Sequence, residues 1–291
     1  MRIRTILLQR SSVKSLTFLG DMFDGVQCPC ILLQLIATGK PLSTAGMMIE
    51  DRTRTYTIAM ERTVVPENFS FRMTDEEYRV LEKIKNSIPV CYLADHADFA
   101  LGIVTGNNKK FLSAEKTEHS EMVLKGTDIC KYHINPAKQY LRFEPEQFQQ
   151  VAPLEIYRAP EKLLYRFISN QLVVAYDDRQ MLSLNSCNIV IPKIEGMQIK
   201  YILAILNSSV SQFVYQKEFH SIKVLRAHME HIPIPRVGKA IQNEIIAMTE
   251  PLICGMGKEA AETCQKRLDC RIMDLFRLSA EEQWIIRHAL H

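Results

Sequence analysis

The chain has 291 residues, of which 47% are hydrophobic and 24% are charged, with a formal net charge of +3. This composition is that of an ordinary globular protein of one large or two modest domains. The sequence contains no apolar run of eighteen residues, which excludes a membrane-spanning helix. Its start lacks the long apolar stretch and the cleavage site of a signal peptide. We therefore expect a cytoplasmic protein that contacts no membrane.

The eight cysteines contain no Cys-x-x-Cys pair, and most of them have apolar neighbours. Cysteine in such surroundings behaves as a small hydrophobic residue, which favours a reduced protein over a disulfide scaffold. His228 and His231 lie three positions apart and could share a helix face, but no further ligands follow nearby. We therefore predict no metal site.

Strands and turns are expected over the first sixty residues. Residues 26–36 (VQCPCILLQLI) are mostly apolar and suit a buried strand. Residues 54–60 (RTYTIAM) alternate, so they could pair back on that strand. A short helix is expected next, over residues 74–86, with Thr74 as its N-cap, Glu77 in the capping-box position and Pro89 as its stop. The first segment looks like the edge of a larger sheet.

From residue 90 to residue 235 the pattern alternates short strands, polar turns and brief helices. We expect a helix that begins at Pro160, with Leu163, Leu164, Phe167 and Ile168 as its apolar positions. Residues 172–176 and 187–191 predict strands, and residues 199–219 predict a helix interrupted at 207–209. The remainder is expected to be helical. One helix covers residues 240–248 and is ended by Pro251 and the Gly255-Met256-Gly257 break, a second covers 258–276, and a third follows a capping box at Ser279 and Glu282.

Several catalytic signatures are absent from the sequence. It has no Pro-Pro dipeptide, so it lacks the Asn-Pro-Pro-Tyr type of loop that holds a flipped adenine. It also has no Gly-x-Gly-x-x-Gly motif, no phosphate loop, no Gly-x-Ser-x-Gly motif, and no Asp-x-Lys or Glu-x-Lys pair of the nuclease type. Nothing in these patterns argues for catalysis by the chain itself.

The segment 101–112 (LGIVTGNNKKFL) has the features of a nucleic-acid contact. Its polar residues are Thr105, Gly106, Asn107, Asn108, Lys109 and Lys110. Asparagine can pair with an adenine edge, lysine can neutralise a phosphate, and glycine permits close approach of the backbone. The alternative is a solvated hairpin turn, because asparagine and glycine dominate turns for conformational reasons. Other basic residues that could form a cationic face are Lys125, Lys131, Arg158, Arg179, Lys217, Lys223 and Arg226.

Five segments in a fixed order carry a resemblance to a known family. They are residues 101–112, 124–134, 161–192, 201–219 and 224–235. In this order they resemble the TaqI-like specificity domain of type II adenine-specific DNA methyltransferases and of fused restriction-modification enzymes, over residues 88–235. Residues 23–42 look like the last strands of the family's catalytic domain, and the end of the chain looks like its helical tail.

The resemblance implies an α+β fold in three parts. Residues 1–72 would be edge strands of a truncated α/β methyltransferase sheet, residues 73–236 a β-rich recognition domain with short helices, and residues 237–291 a helical segment. In the family this domain faces the catalytic domain across the DNA, and its loops read base edges. The TGNNKK turn and the basic residues at 125–131 and 217–228 would then contact the DNA.

The function implied is recognition of duplex DNA as the specificity part of an adenine-specific DNA methyltransferase. S-adenosylmethionine is expected only in a complete enzyme, because the cofactor and catalytic loops are missing from this sequence. Two alternatives stay open. The chain could be a specificity subunit that acts through a separate methyltransferase subunit, as in type I systems, or an inactive fragment of a longer enzyme.

Overall fold

The computed structural model describes residues 2–26, 28–64, 70–219 and 221–290. The chain divides into two units, Met1–Leu81 and Glu82–His291. The first begins with helix α1 (Arg2–Arg10) and contains a four-stranded sheet of order β2-β1-β3-β4. The strands are β1 (Ser11–Asp21), β2 (Pro29–Ala37), β3 (Met48–Glu50) and β4 (Thr55–Thr57). Strand β1 is antiparallel to β2 and parallel to β3.

Three expectations for the first unit are wrong. Residues 2–10 form a helix, strand β2 is mostly exposed, and β4 pairs with β3 instead of with β2. The carboxylate of Asp51 accepts hydrogen bonds from the backbone nitrogens of Thr53 (2.9 Å) and Arg54 (3.1 Å). This turn joins β3 and β4 as a local hairpin, and such short connections are favoured over distant pairing.

An irregularity in β1 decides which of its side chains enter the core of the first unit. The pairing of β1 with β2 shifts register between Val13 and Ser15. A bulge of this kind adds one residue, so Val13 and Leu16 are both buried although they lie three positions apart. They pack with Met47, Ile49, Ile58 and Phe71.

Helix α2 (Asp75–Asn86) begins as the sequence predicted. The backbone nitrogen of Thr74 donates to Glu77 Oε2 at 2.8 Å, and the backbone nitrogen of Glu77 donates to Thr74 Oγ1 at 3.3 Å. These two bonds form a complete capping box, which satisfies donors that the first helical turn leaves free. The capping prediction is therefore confirmed.

The second unit contains three small sheets in the described part of the chain. Their orders are β11-β10-β13-β6, β12-β8-β9-β7 and β14-β5. The strands are β5 (Val90–Cys91), β6 (Ala97–Ala100), β7 (Leu112–Ser113), β8 (Glu121–Leu124), β9 (Tyr140–Leu141), β10 (Lys162–Arg166), β11 (Val174–Asp177), β12 (Leu182–Ser183), β13 (Cys187–Pro192) and β14 (Ile234–Pro235).

Strand β10 corrects the helix expected after Pro160. It lies between β11 and β13, and its first four residues are buried. A short apolar run with this pattern fits a buried strand and a buried helix equally well, so periodicity alone cannot separate them. Hydrogen bonding to both β11 and β13 makes this segment a strand.

Helices surround and follow these sheets. They are α3 (Asn108–Phe111), α4 (Leu154–Tyr157), α5 (Ile199–Asn207), α6 (Ser209–Glu218), α7 (Arg226–Glu230), α8 (Lys239–Cys254), α9 (Lys258–Leu275) and α10 (Ala280–Ala289). The predicted interruption at 207–209 is confirmed, because α5 and α6 meet at Ser208. The capping box at Ser279 and Glu282 is also present, with bonds of 2.7 and 3.3 Å.

Helix α8 is longer than the sequence predicted. It contains Pro251 in its last turn and ends before Gly255, whose φ of 80° lies in the left-handed region. Proline removes one backbone donor, and a positive φ is readily adopted only by glycine. Of the two predicted stop signals, the helix continues past Pro251 and ends at the Gly255-Met256-Gly257 break.

The predicted fold class, a mixture of small sheets and short helices followed by a helical tail, is confirmed by these elements. The division at residues 72 and 236 stays a prediction, as does the origin of the first sheet in a methyltransferase. Within the described residues, no helix has the length and apolar character needed to cross a membrane.

Candidate nucleic-acid interface

The loop from Thr105 to Phe111 is a capped helical turn. The side-chain oxygen of Asn107 accepts from the backbone nitrogen of Lys110 at 3.2 Å, which caps α3. The buried hydroxyl of Thr105 donates to Asn108 Oδ1 at 2.6 Å. Gly106 has a φ of 77°, a conformation that a residue with a Cβ rarely adopts. The loop is therefore held by its own side chains and backbone.

The polar groups of this loop are accessible. Asn107, Asn108, Lys109 and Lys110 are all exposed. Within the described residues, neither asparagine Nδ2 has a hydrogen-bond partner, and neither lysine forms an ion pair with a carboxylate. The Nζ of Lys110 lies 4.6 Å from the centroid of the Phe111 ring. The loop thus offers amide donors suited to base edges and cations suited to phosphates.

A groove adjoins the loop. Val104 and Gln150 exchange two backbone hydrogen bonds of 2.9 and 3.0 Å, which places the exposed Gln149 and Gln150 beside the loop. Residues 150–153, strand β6 and Arg226 line a groove of about 580 Å³. Arg226 lies with its Cζ 5.2 Å from the centroid of the Phe99 ring, and its Nε donates to Glu230 at 2.7 Å. The segment around Gln150 therefore connects the loop with Arg226.

Sequence reasoning missed further basic residues near the loop. Strands β7 and β9 pair Leu112 with Leu141, so Arg142 lies beside the end of α3. Lys138 and Arg142 flank β9 and are exposed, although Arg142 forms an ion pair with Glu144 at 2.8 Å. The residues KQYLR (138–142) do not alternate between polar and apolar, so the sequence carries no signal for β9, which is defined by its pairing with β7 and β8.

Comparison with known families identifies the middle of the chain. Residues 121–234 match the family described as the TaqI-like C-terminal specificity domain. We refer to residues 121–234 as the specificity domain, after the family that they match. The resemblance stated from the sequence is thus confirmed over this range. The loop at 105–111 lies before the first matched residue, whereas its pairing partner Gln150 lies inside the specificity domain.

Solved structures of restriction-modification proteins are similar to this chain, and one of them has a TM-score above 0.5. The Type IIL restriction-modification enzyme MmeI, determined in complex with DNA, matches 99% of this chain and 48% of its own, with a TM-score of 0.58 and 9% identity. The HsdS subunit from Thermoanaerobacter tengcongensis matches 74% of this chain and 50% of its own, with a TM-score of 0.38 and 14% identity. The chain thus spans about half the length of these proteins. No curated protein matches the sequence significantly.

The second basic turn of the specificity domain is fixed by internal contacts. The backbone nitrogen of Lys125 donates to Asp128 Oδ2 at 2.8 Å, and Arg166 donates to the backbone oxygens of Gly126 (2.9 Å) and Ile129 (2.6 Å). A Cβ on Gly126 would lie 2.4 Å from the backbone oxygen of Ser186, so only glycine fits there. Lys125 itself is half-buried.

Three of the other predicted contact residues lie at the surface of the specificity domain. Arg179 and Lys223 are exposed, and the Nζ of Lys223 lies 5.9 Å from the Phe167 ring centroid. Arg158 is half-buried and donates to Glu121 at 2.6 Å and to the backbone oxygen of Gln180 at 2.7 Å. Its guanidinium therefore already has strong partners within the fold.

Lys131 and Lys217 lie inside the specificity domain. The Nζ of Lys131 donates to the backbone oxygen of Asn207 at 3.1 Å, and burial lowers the pKa of this lysine. Lys217 is 6% exposed, and its Nζ lies 5.7 Å from the Phe213 ring centroid. Lys217 is therefore not part of an open cationic surface, and Lys131 lines two cavities whose other residues do not include the 105–110 loop. The 105–110 loop is connected to Arg226 through the groove that Gln150 lines. Lys131 and Lys217 do not line this groove. Contact of all twelve residues with DNA stays a prediction.

Proposed function

We propose that this chain recognises a specific sequence in duplex DNA as the target-recognition part of an adenine-specific restriction-modification methyltransferase. The observation that carries the proposal is the match of residues 121–234 to a TaqI-like specificity domain. A fold shared with MmeI, an enzyme determined in complex with DNA, supports it. The protein would act on the DNA of its own cell, in the cytoplasm.

The proposed interface has two chemically distinct components. Lys109 and Lys110 carry charges without carboxylate partners in the described part of the chain, and they would contact phosphates on any sequence. Asn107 and Asn108 keep free amide donors on a loop of fixed conformation, and they would read base edges. A loop that is already ordered loses little conformational entropy on binding, which favours affinity.

Methyl transfer to adenine belongs, in this proposal, to a catalytic methyltransferase subunit or domain outside this chain. The sequence contains no loop of the types that hold S-adenosylmethionine or a flipped adenine, so we assign no residue here to the cofactor. The whole reaction would therefore require two components, one that selects the site and one that transfers the methyl group.

Strand β2 is the surface that we assign to this catalytic partner. It is nine residues long and lies at the edge of its sheet. Ile31, Leu32, Leu35 and Ile36 are between 40% and 61% exposed. An exposed apolar edge strand readily pairs with another chain, and proteins normally cover it. This surface favours a specificity subunit that works with a separate methyltransferase subunit, as in type I systems, over an independent binder.

The decisive experiment is fluorescence anisotropy of the purified chain with a pool of randomised duplexes at several salt concentrations, followed by sequencing of the bound fraction. If DNA binding weakens steeply as the salt concentration rises, and if one DNA sequence is enriched in the bound fraction, the chain is a self-sufficient recognition domain. Enrichment that requires an added methyltransferase subunit would support the partner-dependent form. Absence of binding at low salt, with and without that subunit, would leave only the inactive fragment.

A further inference from the structure

A second cavity lies on the second unit, away from the loop and the groove described above. It has a volume of about 550 Å³, and its walls come from α6, Lys131 and Gln171 on one side and from α9 and α10 on the other. The charged or amide side chains that matter for its chemistry are Lys131, Gln171, Gln212, Lys266, Asp269 and Arg287.

Gln212 is a buried donor at this cavity. The residue is 5% exposed, and its Oε1 accepts a hydrogen bond from the backbone nitrogen of Leu172 at 2.9 Å. Its Nε2 has no hydrogen-bond partner among the described residues. Buried amide groups in proteins are nearly always satisfied on both sides, and an unsatisfied donor costs stability. This nitrogen has almost no accessible surface, so a ligand in the cavity would contact it only after the side chain moved.

The cavity carries an excess of positive charge. Within the described residues, Lys266 and Arg287 form no ion pair with a carboxylate. The terminal nitrogen of Arg287 reaches only Gln283 Oε1 at 3.2 Å and the sulfur atoms of Cys270 and Met273 at 3.4 and 3.9 Å. Among the described residues, Asp269 is the one acidic member of this wall, and it already accepts from the backbone nitrogen of Ser209 at 2.8 Å. The available groups are therefore donors and cations.

An apolar cavity adjoins the charged one. It has a volume of about 350 Å³, shares Lys131 and Lys266 with its neighbour, and is lined also by Leu252, Met256, Ala261 and one acidic residue, Glu262. A ligand that extended from the charged cavity into this one would bury an apolar portion next to its anionic group. Such a combination of an apolar surface with a few placed polar groups is typical of small-molecule sites.

We propose that the two cavities bind a small organic anion. A carboxylate or phosphate group would accept from Lys266 and Arg287, and an apolar portion of the ligand would occupy the neighbouring cavity. The site is independent of the DNA interface proposed above, because none of these residues belongs to the 105–110 loop or to the groove at Arg226.

The test is isothermal titration calorimetry of the full chain with phenyl phosphate, benzoate and inorganic phosphate. We expect saturable binding at one site, with phenyl phosphate tighter than inorganic phosphate because only the former reaches the apolar cavity. Lys266→Gln and Arg287→Gln should each lower the affinity for phenyl phosphate about tenfold, which is the loss expected for one charged hydrogen bond. Lys258→Gln, the same change at an exposed lysine of the same helix, should bind as the parent does.

Three results would overturn the site. The first is no saturation by any of the three probes up to about 10 mM. The second is a loss of affinity in Lys258→Gln equal to that in the two cavity variants, which would mean that the anions bind diffusely to surface charge. The third is displacement of phenyl phosphate by duplex DNA, which would assign the cations to the DNA backbone. Circular dichroism of each variant verifies that a lost signal does not come from unfolding.

Discussion

The ammonium group of Lys131 donates a hydrogen bond to the backbone oxygen of Asn207 at 3.1 Å, at the C-terminal end of α5. On the other side of Ser208, Asp269 accepts from the backbone nitrogen of Ser209 at 2.8 Å, at the start of α6. A cation at a helix C-terminus and an anion at an N-terminus both interact favourably with the helix dipole. Two ions from distant parts of the chain thus contact the two sides of the helix break, and these interactions offset part of the cost of burying their charges.

Asp269 predicts a pH-dependent contribution to stability. Burial raises the pKa of Asp269 above its usual 3.8, against the lowering effects of Ser209, Gln265 and Lys131. A carboxyl group whose pKa is raised by folding contributes stability below its unfolded pKa, and this contribution is lost as the pH rises through the folded pKa. Asp269→Asn should therefore gain stability relative to the parent as the pH rises above 3.8. Urea unfolding of both proteins at a series of pH values measures this difference in the free energy of unfolding. A difference that stays constant with pH would contradict the prediction.

Lys109→Ala combined with Lys110→Ala should weaken binding to all DNA sequences alike. Both side chains are exposed, and loss of two phosphate contacts should reduce the slope of log K against log salt by about 1.8. Anisotropy titrations at four salt concentrations measure the slope. The matched control is Lys239→Ala with Lys258→Ala, two exposed lysines of the helical tail that should leave the slope unchanged. An unchanged slope in the loop variant would remove the loop from the interface.

The asparagines of the same loop should affect specificity rather than salt dependence. Asn107→Ser keeps an oxygen that can cap α3 but removes the amide donor. If Asn107 reads a base, the variant should lose about 1–3 kcal/mol of discrimination at one base pair while its salt slope stays the same. Sequencing of the pool bound by each protein reports the preference. An unchanged preference would mean that Asn107 serves only as a cap.

The ion pair of Lys162 and Asp177 should be essential for stability. Both side chains are fully buried with 2.6 Å between Nζ and Oδ2, and burial lowers the pKa of Lys162 although Asp177 opposes the shift. Lys162→Met would leave the carboxylate buried without its cation, which should cost about 3–5 kcal/mol. Lys193→Met breaks an exposed pair with Asp98 and should cost less than about 1 kcal/mol. Urea unfolding compares the two variants, and equal losses would contradict the argument.

Local signals account for what the sequence could predict. The capping boxes at Thr74 and Ser279 and the interruption at Ser208 depend on neighbouring residues, and the structure contains all three. Strand β10 and the burial of Lys217 depend on partners distant in sequence, so no local pattern could reveal them. In the candidate interface, the residue types alone predicted that the 105–110 loop is polar and exposed. Its connection to Arg226 depends on the backbone pairing at Gln150, which only the structure reveals.

The exposed face of β2 predicts self-association of the isolated chain. Leu32 and Ile36 are 61% and 53% exposed and lie on the same face of the strand, whereas Leu33 packs against the core. Leu32→Lys with Ile36→Lys should abolish concentration-dependent association without loss of stability, because charges on an edge strand prevent pairing with another copy. Thr55→Lys with Thr57→Lys, on the opposite edge strand of the same sheet, is the control. Light scattering over a concentration series measures association, and equal association of all three proteins would show that β2 does not drive it.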